Sequence, residues 1–390
     1  PERVRAGLSS DGSPSRINKL RTMRNSLARS VFTIVALVSG LFTARALLQE
    51  KGGSDLTGPY ELVANWAPQT VQTPGYVRGS QAGVFAESPN RVFLVQRGEL
   101  KLPDKVPPSF AGFWGSLNVG PANSQRPLMH NAVVIVDANG KVVEAWTQWD
   151  HLFEKGSGHP EREGRQHGPH SAAISPYDPE RHVWIIDDKG QQVFKFTNDG
   201  KKLVMTVGIA MELGNDDKHL GGTTDIAWLP DESFVLSDGY DNSRVVKFDK
   251  NGKYVTAWEG PVPPKMDVPH SIATDKNGRI YVADRGNNRI FVHDSNGKHL
   301  DTWPNIIGPA HMMMSADQHL IVSTLGTNKF YKFDLNGKLL HSWGTYGTLP
   351  GTFDGIHGFH TDSDGNLYAS EILHIASIHP ATRCDKLTVA

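Results

Sequence analysis

The sequence predicts an all-β protein, a six-bladed β-propeller with four strands in each blade and a ring closed by an N-terminal strand. Three observations support this prediction: glycine and proline are abundant, one turn motif recurs with a fixed sequel, and the repeat spacing is typical of propeller blades. The 390 residues include 39 Gly and 24 Pro. That density disfavours long helices and suits short strands joined by tight turns.

Charge and cysteine content exclude several classes of protein. The chain has 40 Lys and Arg against 41 Asp and Glu, so its net charge of −1 predicts neither nucleic acid nor an anionic membrane as a partner. Cys384 is the single cysteine, which excludes an intramolecular disulfide and a thiolate metal cluster. We expect a monomer that acts on a small-molecule or peptide-derived substrate.

An apolar segment near the N-terminus has the features of a secretory signal peptide. Residues Val31–Phe42 are apolar, basic residues precede them, and Ala-Arg-Ala at 44–46 gives a small-x-small cleavage pattern. The apolar run is shorter than the about 20 residues that a membrane-spanning helix needs. We therefore predict that residues 1–46 are a signal peptide with an upstream extension, cleaved after Ala46, and that the folded part is secreted or periplasmic. An uncleaved anchor is the alternative.

Two sequence units alternate along the rest of the chain. The first is a turn followed by an alternating strand, as in DANGKVVEAW, DKNGKYVTAW, DSNGKHLDTW and DLNGKLLHSW. Asn-Gly predicts a two-residue hairpin turn in which both central residues have positive φ. The second unit, as in HSIATDKNGRIYVADRGNNRI, predicts a strand, a turn, a strand, a loop and a third strand. Together the two units make a four-stranded meander.

The residues that open the inner strand of each repeat define the predicted blades. After a longer first interval, they recur at roughly 40–55 residues, the period of a four-stranded blade. Two segments without counterpart in the repeats, 98–131 and 150–168, lengthen that first interval. The predicted openings are Gly83, His170, Thr224, His270, His311 and His357.

The start of the folded part predicts how the ring closes. Residues 47–59 are predicted to be a flexible spacer, and YELVANWAP from Tyr60 matches the pattern of the outer strands KYVTAW and KLLHSW. Too few residues follow His357 for a full blade. We therefore expect the N-terminal strand to complete the last blade, so that the propeller spans residues 60–390 and no sheet edge is left open.

Histidine opens four of the six inner strands, and three of these histidines lie in alternate blades. Inner strands start around the central axis, so His170, His270 and His357 would converge at about 120° from one another. Three imidazoles with a free fourth position form a catalytic zinc site, and imidazole suits Zn²⁺ better than Ca²⁺ or Mg²⁺. The alternative is that histidine merely opens strands in these repeats. His311 lies outside the threefold set and is expected to line the pocket.

Three second strands end in residues suited to catalysis, at the same end of the molecule. Tyr240 is a candidate base, because a nearby dication favours the phenolate form. Arg97 and Arg285 carry guanidinium groups, which can bind a carboxylate through two parallel hydrogen bonds. Each of the three could instead be a polar loop residue that makes turn hydrogen bonds.

The stretch SDGYDNSRVVKFDKNGKYVTAW, with VPHSIATDKNGRIYVADRGNNRI and the upstream QRG, resembles a known family. It is similar to the NHL-repeat propellers and, more specifically, to the peptidyl-α-hydroxyglycine α-amidating lyase domain. The resemblance runs from Tyr60 to the end of the chain. It implies a six-bladed propeller and a zinc lyase that breaks a carbinolamide C–N bond, giving an amide and an aldehyde such as glyoxylate.

Carried over by motif, the resemblance implies roles for individual residues. Tyr240 would be the catalytic base and Arg97 would hold the substrate carboxylate. Two positions depart from the family: Gly358 replaces an acidic ligand of a structural calcium, and Asp241 replaces a disulfide cysteine beside the tyrosine. These departures put calcium and a peptide substrate in question. The implied zinc ligands are His170, His270 and His357, and the implied pocket-lining residue is Arg285.

Two other functions compete with the lyase. A metal-dependent propeller hydrolase of the lactonase type usually presents carboxylate and amide ligands, which are missing at the inner-strand openings. A non-catalytic extracytoplasmic binding propeller needs no metal. Bound zinc would favour the lyase, calcium alone the hydrolase and no metal the binding protein, while the natural substrate stays open.

Overall fold

Short antiparallel strands make up almost all of the regular structure. The computed structural model describes residues 57–63, 66, 73–78, 81–101, 128–154, 168–261, 263–347, 351–371 and 384–389. These belong to one compact unit, Gly53–Ala390. The predicted signal peptide, most of the predicted spacer and most of the segments 98–131 and 150–168 lie outside the described residues. Among the described residues, every helix is shorter or less apolar than a membrane-spanning segment must be.

The described residues form 26 strands and two short 3₁₀ helices, Thr147–Leu152 and Arg285–Asn287. The strands in chain order are β1 (Tyr60–Val63), β2 (Tyr76–Arg78), β3 (Gln81–Ser88), β4 (Arg91–Gln96), β5 (Glu99–Lys101), β6 (Val133–Val136), β7 (Val142–Ala145), β8 (Ser171–Ile174), β9 (Val183–Asp187), β10 (Gln192–Phe196), β11 (Leu203–Val207), β12 (Thr223–Trp228), β13 (Phe234–Asp238), β14 (Arg244–Phe248), β15 (Tyr254–Trp258), β16 (Pro269–Thr274), β17 (Ile280–Asp284), β18 (Arg289–His293), β19 (His299–Pro304), β20 (Pro309–Met314), β21 (Leu320–Thr324), β22 (Phe330–Phe333), β23 (Leu339–Trp343), β24 (Ile356–Thr361), β25 (Leu367–Glu371) and β26 (Cys384–Val389).

These strands pair into six four-stranded antiparallel sheets and one two-stranded sheet, β2–β5. We number the larger sheets by chain order of their first strands, counting from the innermost strand outward: sheet 1 is β3-β4-β6-β7, sheet 2 is β8 to β11, sheet 3 is β12 to β15, sheet 4 is β16 to β19, sheet 5 is β20 to β23, and sheet 6 is β24-β25-β26-β1. The prediction of an all-β propeller is confirmed.

The apolar core lies between neighbouring sheets. The second strands β13, β17, β21 and β25 are buried along their whole length. Trp184 of β9 packs against Phe234 and Trp228 of sheet 3, with ring centroids 4.9 and 5.9 Å apart. The outer strands are more exposed, as at Val255 and Leu300. Each sheet therefore buries both faces of its inner strands, and this packing fixes where those strands begin.

The recurring turns differ in type from the prediction. In the turn of sheet 1, Gly140 has φ +76°, while Asn139 is not among the described residues with positive φ. The Asp137 carboxylate accepts hydrogen bonds from the N–H groups of Asn139 and Lys141, both at 2.9 Å, and the strand carries a bulge between Ile135 and Val136. The two-residue turn with two positive φ angles is therefore wrong. An aspartate-capped turn with one left-handed glycine replaces it, because the Asp side chain supplies the bonds that hold the turn.

Each of these turns also contacts the preceding sheet. A Cβ on Gly297 of sheet 4 would lie 2.6 Å from the Trp258 ring of sheet 3, and a Cβ on Gly337 of sheet 5 would lie 2.6 Å from the Trp303 ring of sheet 4. The tryptophan that ends one outer strand thus covers the turn glycine of the next sheet. Only glycine leaves room for the ring at these positive-φ positions.

The N-terminal strand takes part in the same pattern. β1 pairs with β26 from Tyr60↔Val389 to Val63↔Lys386. Gly58, in the turn before β1, has φ +65° and would place a Cβ 2.5 Å from the Trp343 ring of sheet 5. Trp66 donates its indole N–H to the carbonyl of Ala138, in the turn of sheet 1, at 3.0 Å.

Candidate metal centre

A backbone bulge marks the start of the inner strands. In five sheets the register between the first and second strands shifts by one residue at the first strand's beginning. In sheet 2 the N–H of His170, directly before β8, donates to the carbonyl of Ile186 at 2.7 Å. A bulge releases one residue from the ladder and redirects it. The residues at this position are Ala82, His170, Thr224, His270, Ala310 and His357.

This register corrects two of the predicted strand openings. Ala82 and Ala310 occupy the bulge in sheets 1 and 5, whereas Gly83 and His311 pair one residue later, with Val95 and Ser323. A slip of one residue moves a side chain to the other face of a strand. His311 therefore does not occupy the place of the other three histidines, for a reason that sequence spacing alone could not reveal.

The three remaining histidines meet at one point. The potential ligand nitrogens of His170, His270 and His357 all lie within 4.8 Å of one another. Their ring centroids are 4.6 to 5.0 Å apart. All three side chains are buried, with at most 3% of each residue exposed. The alternate sheets 2, 4 and 6 thus place three imidazoles together, as the sequence predicts.

The intervening sheets supply main-chain groups that orient these rings. His270 Nδ1 lies 2.6 Å from the carbonyl oxygen of Ala310, and His357 Nδ1 lies 2.6 Å from that of Ala82. In both pairs Nδ1 donates its proton, which leaves Nε2 as an unprotonated lone pair. His170 Nδ1, in contrast, has no hydrogen-bond partner among the described residues. The bulge residues of sheets 5 and 1 therefore orient the histidines of sheets 4 and 6.

The site favours neutral imidazole. Burial lowers the pKa of His170 and His270 well below the ordinary value, and it lowers the pKa of His357 to about 3. The positive charges of Arg97 and Arg285 act in the same direction on His357. Because neutral imidazole is the form that binds metal, these histidines are ready to act as ligands at neutral pH.

Tyr240 lies directly against this cluster. Its phenol oxygen is 2.8 Å from His270 Nε2 and 3.1 Å from His170 Nε2. Burial raises the pKa of Tyr240, while the charges of Arg285 and Arg97 lower it. Main-chain bonds from Tyr240 to Gly222 and from Asp241 to Gly221, both 3.0 Å, fasten this loop at the place where the sequence lacks a disulfide.

The donor set fits a metal ion. A single phenol O–H can donate to only one of the two Nε2 atoms within its reach, while the potential ligand nitrogens of the three buried imidazoles all lie within 4.8 Å of one another. Buried acceptors without a partner are costly. A cation that accepts three nitrogen ligands satisfies all three at once. The three residues could therefore hold a metal, and all-nitrogen donors suit zinc and similar ions.

Basic side chains surround the tyrosine at the mouth of the site. Arg97, only 6% exposed, forms a 2.9 Å ion pair with Asp188 Oδ1. Lys189 Nζ lies 2.9 Å from Asp188 Oδ2 and 4.9 Å from the centre of the Tyr240 ring. The guanidinium carbon of Arg285 lies 5.3 Å from that same centre. The predicted residues Arg97, Tyr240 and Arg285 are thus brought together next to the histidines.

Sequence reasoning missed Asp188 and Lys189 in this group. Asp188 follows β9 at the same position that Arg97 holds after β4 and Arg285 holds after β17, and Lys189 is the next residue. The sequence Asp-Asp-Lys-Gly at the end of this strand could have indicated a charged site. Charged residues directly after a strand usually make hydrogen bonds within the turn, as Asp187 does with the N–H of Gly190 at 3.0 Å, so the sequence alone does not distinguish the two roles.

A small cavity lies against the histidines, and its lining shows which ligands a calcium ion would find there. Its lining includes the three histidines, Ser171, His311 and Gly358. Among the described residues, no carboxylate lines it. A Cβ on Gly358 would lie 2.9 Å from Ser370 Oγ and 3.3 Å from Gly83 Cα, so an acidic ligand would need the structure to shift. The described lining therefore offers few of the oxygen ligands that calcium prefers.

His311 lines this cavity without joining the metal cluster. Its Nδ1 lies 3.5 Å from Ser271 Oγ and 3.4 Å from Asp225 Oδ2, and its ring packs edge-on against Phe359. His360 packs on Phe85 with ring centroids 4.1 Å apart and accepts the N–H of Ala86. A substrate contact for His311 stays a prediction.

Comparison with known proteins agrees with the repeats. The NHL repeat family matches residues 266–292. A rat peptidylglycine α-amidating monooxygenase is 37% identical over 221 residues, which cover 54% of this chain and 20% of that protein. A probable peptidyl-α-hydroxyglycine α-amidating lyase of Caenorhabditis elegans is 35% identical over 127 residues, covering 31% of this chain and 35% of the relative. The chain thus spans about a fifth to a quarter of the first monooxygenases that it matches.

Solved structures share the fold at low identity. The virginiamycin B lyase of Staphylococcus aureus, solved with quinupristin, is 14% identical with a TM-score of 0.50, covering 85% of this chain and 100% of that one. A Bacteroides thetaiotaomicron protein of unknown function gives a TM-score of 0.53 at 13% identity, and the alignment covers 85% of this chain and 76% of that one. The chain is therefore a β-propeller that contains an NHL repeat at residues 266–292 and is similar in sequence to peptidyl-α-hydroxyglycine α-amidating lyases.

Proposed function

We propose that this protein is a zinc-dependent lyase that cleaves the C–N bond of a carbinolamide of the α-hydroxyglycine type. The observation that carries the proposal is the position of Tyr240, whose phenol oxygen lies within 3.1 Å of two histidines of the three-histidine cluster. A phenol placed at a metal-ligating cluster, with arginines beside it, is suited to acid–base chemistry on an anionic substrate. Relatives named as amidating lyases support the reaction class.

The side chains divide the work of the reaction. Arg97 binds the carboxylate next to the carbinol carbon, through the guanidinium N–H groups that Asp188 leaves available. Tyr240 accepts the proton of the carbinol hydroxyl. As the C=O bond forms, the C–N bond breaks, and its electron pair leaves with the amide nitrogen, which takes up a proton. The products are the amide and glyoxylate, so atoms and charge balance.

The histidines complete this arrangement. A zinc ion held by the three imidazoles would supply a Lewis acid for the carbinol group and would favour the phenolate form of Tyr240. His270 and His357 keep their Nε2 lone pairs directed inward, because the carbonyls of Ala310 and Ala82 hold the Nδ1 protons. Arg285, whose guanidinium carbon lies 5.3 Å from the centre of the Tyr240 ring, stabilises negative charge on the phenol oxygen.

We further infer that the six large sheets are the blades of one ring and that β1 closes it. Supporting contacts occur on both sides of sheet 6: the Gly58 turn fits under Trp343 of sheet 5, and Trp66 bonds Ala138 of sheet 1. Secretion belongs to the same proposal, on the strength of the apolar run at 31–42. N-terminal sequencing of the exported protein should find Leu47 as its first residue, and an intact N-terminus would contradict cleavage.

The zinc ligands can be tested one at a time. His170→Ala, His270→Ala and His357→Ala should each lose most of the bound zinc, because two imidazoles cannot complete the site. His311→Ala should keep its zinc and serves as the control. Metal content is measured by mass spectrometry on the purified, folded variants. Equal zinc loss in all four variants, or in none, would contradict the assignment.

The catalytic base can be tested without disturbing the fold. Tyr240→Phe should retain zinc yet lose about 10²–10⁴ in kcat, the usual contribution of a positioned general base. Tyr346→Phe, at a tyrosine that is 64% exposed, is the matched control and should keep full activity. The assay follows glyoxylate released from an α-hydroxyglycine derivative, beside a lactone and a simple ester. Turnover of the lactone alone, unchanged in Tyr240→Phe, would instead indicate a hydrolase.

Ring closure by β1 predicts a large effect of a short truncation. A chain that begins at Gln69 lacks β1 and Trp66, so β26 becomes an unpaired edge and sheets 5 and 1 lose their contacts. Its thermal unfolding midpoint should fall by several degrees relative to a chain that begins at Leu47. If the two chains had the same thermal unfolding midpoint, β1 would not be a closing strand.

A further inference from the structure

The cations around Tyr240 outnumber the carboxylate that contacts them. Arg97 and Lys189 share the two oxygens of Asp188, each at 2.9 Å. Among the described residues, Arg285 forms no ion pair. One negative charge therefore faces three positive ones. Burial opposes ionisation of Asp188, but the charges of Arg97 and Lys189 hold its pKa below the usual value, so the single carboxylate is charged at neutral pH.

Neighbouring acids do little to offset this excess. Burial raises the pKa of Asp187 to about 7, so this carboxyl carries less than a full charge at neutral pH. Asp238 and Asp284, which hold equivalent places at the ends of β13 and β17, are paired with Arg244 at 2.8 Å and Arg289 at 2.6 Å. Among the ion pairs of the described residues, positive charge around Tyr240 therefore exceeds negative charge.

The two cations that touch the tyrosine ring do so from different elements. Lys189 follows β9 of sheet 2, and Arg285 follows β17 of sheet 4. The Lys189 side chain is 16% exposed, whereas Asp188 is fully buried. Asp188 thus fixes the ammonium group at the edge of the site without removing it from solvent or from a ligand. An ammonium held in this way is suited to bind an anion.

On the basis of the proposed lyase function, we propose that Lys189 is a specificity-determining residue that binds a second anionic group on the amide side of the substrate. The α-carboxylate of the substrate meets Arg97. The second carboxylate meets Lys189, which lies 4.9 Å from the centre of the Tyr240 ring. The substrate class is then an N-acyl-α-hydroxyglycine whose acyl arm ends in a carboxylate, a dianion that neutralises the charge excess of the site.

Two unreactive ligands of equal shape test this proposal by binding alone. N-succinylglycine carries two carboxylates, and N-succinamoylglycine has an amide in place of the second one. Neither has a carbinol hydroxyl, so neither can be cleaved. By titration calorimetry on the zinc-loaded protein, N-succinylglycine should bind about tenfold more tightly, the worth of one charge-assisted contact.

Substitutions at Lys189 should remove or keep this preference in a defined way. Lys189→Met should abolish it, so that the two ligands bind equally, while Asp188 keeps its pair with Arg97. Lys189→Arg should retain it. Lys195→Met is the matched control and should keep the preference. Lys195 also lies over an aromatic ring, that of Trp184, and pairs with Asp178, but it belongs to β10 and does not contact Tyr240 in the described structure.

Three results would overturn the proposal: equal binding of both ligands by the parent protein, an unchanged preference in Lys189→Met, or equal weakening of both ligands in that variant. Failure of the lyase reaction is read separately, as absence of glyoxylate release from a hydroxylated substrate. A dianion preference without turnover would keep the binding role of Lys189 and reject the lyase. Turnover without a dianion preference would support the lyase and reject the binding role of Lys189.

Discussion

The bulge at the start of each inner strand is the constraint on which the site depends. It frees one residue per sheet from the ladder and redirects it, and three of these residues are histidines in alternate sheets. His270 and His357 are each oriented by a bulge-residue carbonyl of the next sheet. The donor geometry is thus set by the packing of whole sheets rather than by flexible loops, which is how a binding site is kept rigid.

The electrostatics of the site follow from that placement. Burial keeps the imidazoles neutral, and the bonds to Ala310 and Ala82 select the tautomer that binds metal. Burial also raises the pKa of Tyr240, while the arginines lower it. The neutral nitrogen donors are suited to a dication, and the cations around the protonated phenol are suited to an anionic ligand.

Much of this could be predicted from the sequence because it repeats. The recurring turns and the spacing of histidines indicated sheets and a common meeting point for His170, His270 and His357. The register of sheets 1 and 5 could not be predicted, since alanine and histidine are equally able to open a strand, and only the pairing of His311 with Ser323 shows the offset. Turn type was also missed, because the capping role of Asp137 outweighs the preference of Asn-Gly.

The residues around Tyr240 show a different limit. Arg97 and Arg285 are predicted from their strand ends, whereas Asp188, at the same position in sheet 2, and Lys189 after it are not singled out by the sequence. What distinguishes them is a spatial fact, the shared carboxylate between two cations. Sequence patterns along one strand carry no information about such a contact between sheets.

X-ray absorption at the zinc edge of the zinc-loaded protein tests most directly whether the three imidazoles bind one zinc ion. We expect a four-coordinate spectrum with three imidazole nitrogens at about 2.0–2.1 Å and one further light atom. A spectrum of six or more oxygen ligands, or one without imidazole scattering, would contradict it.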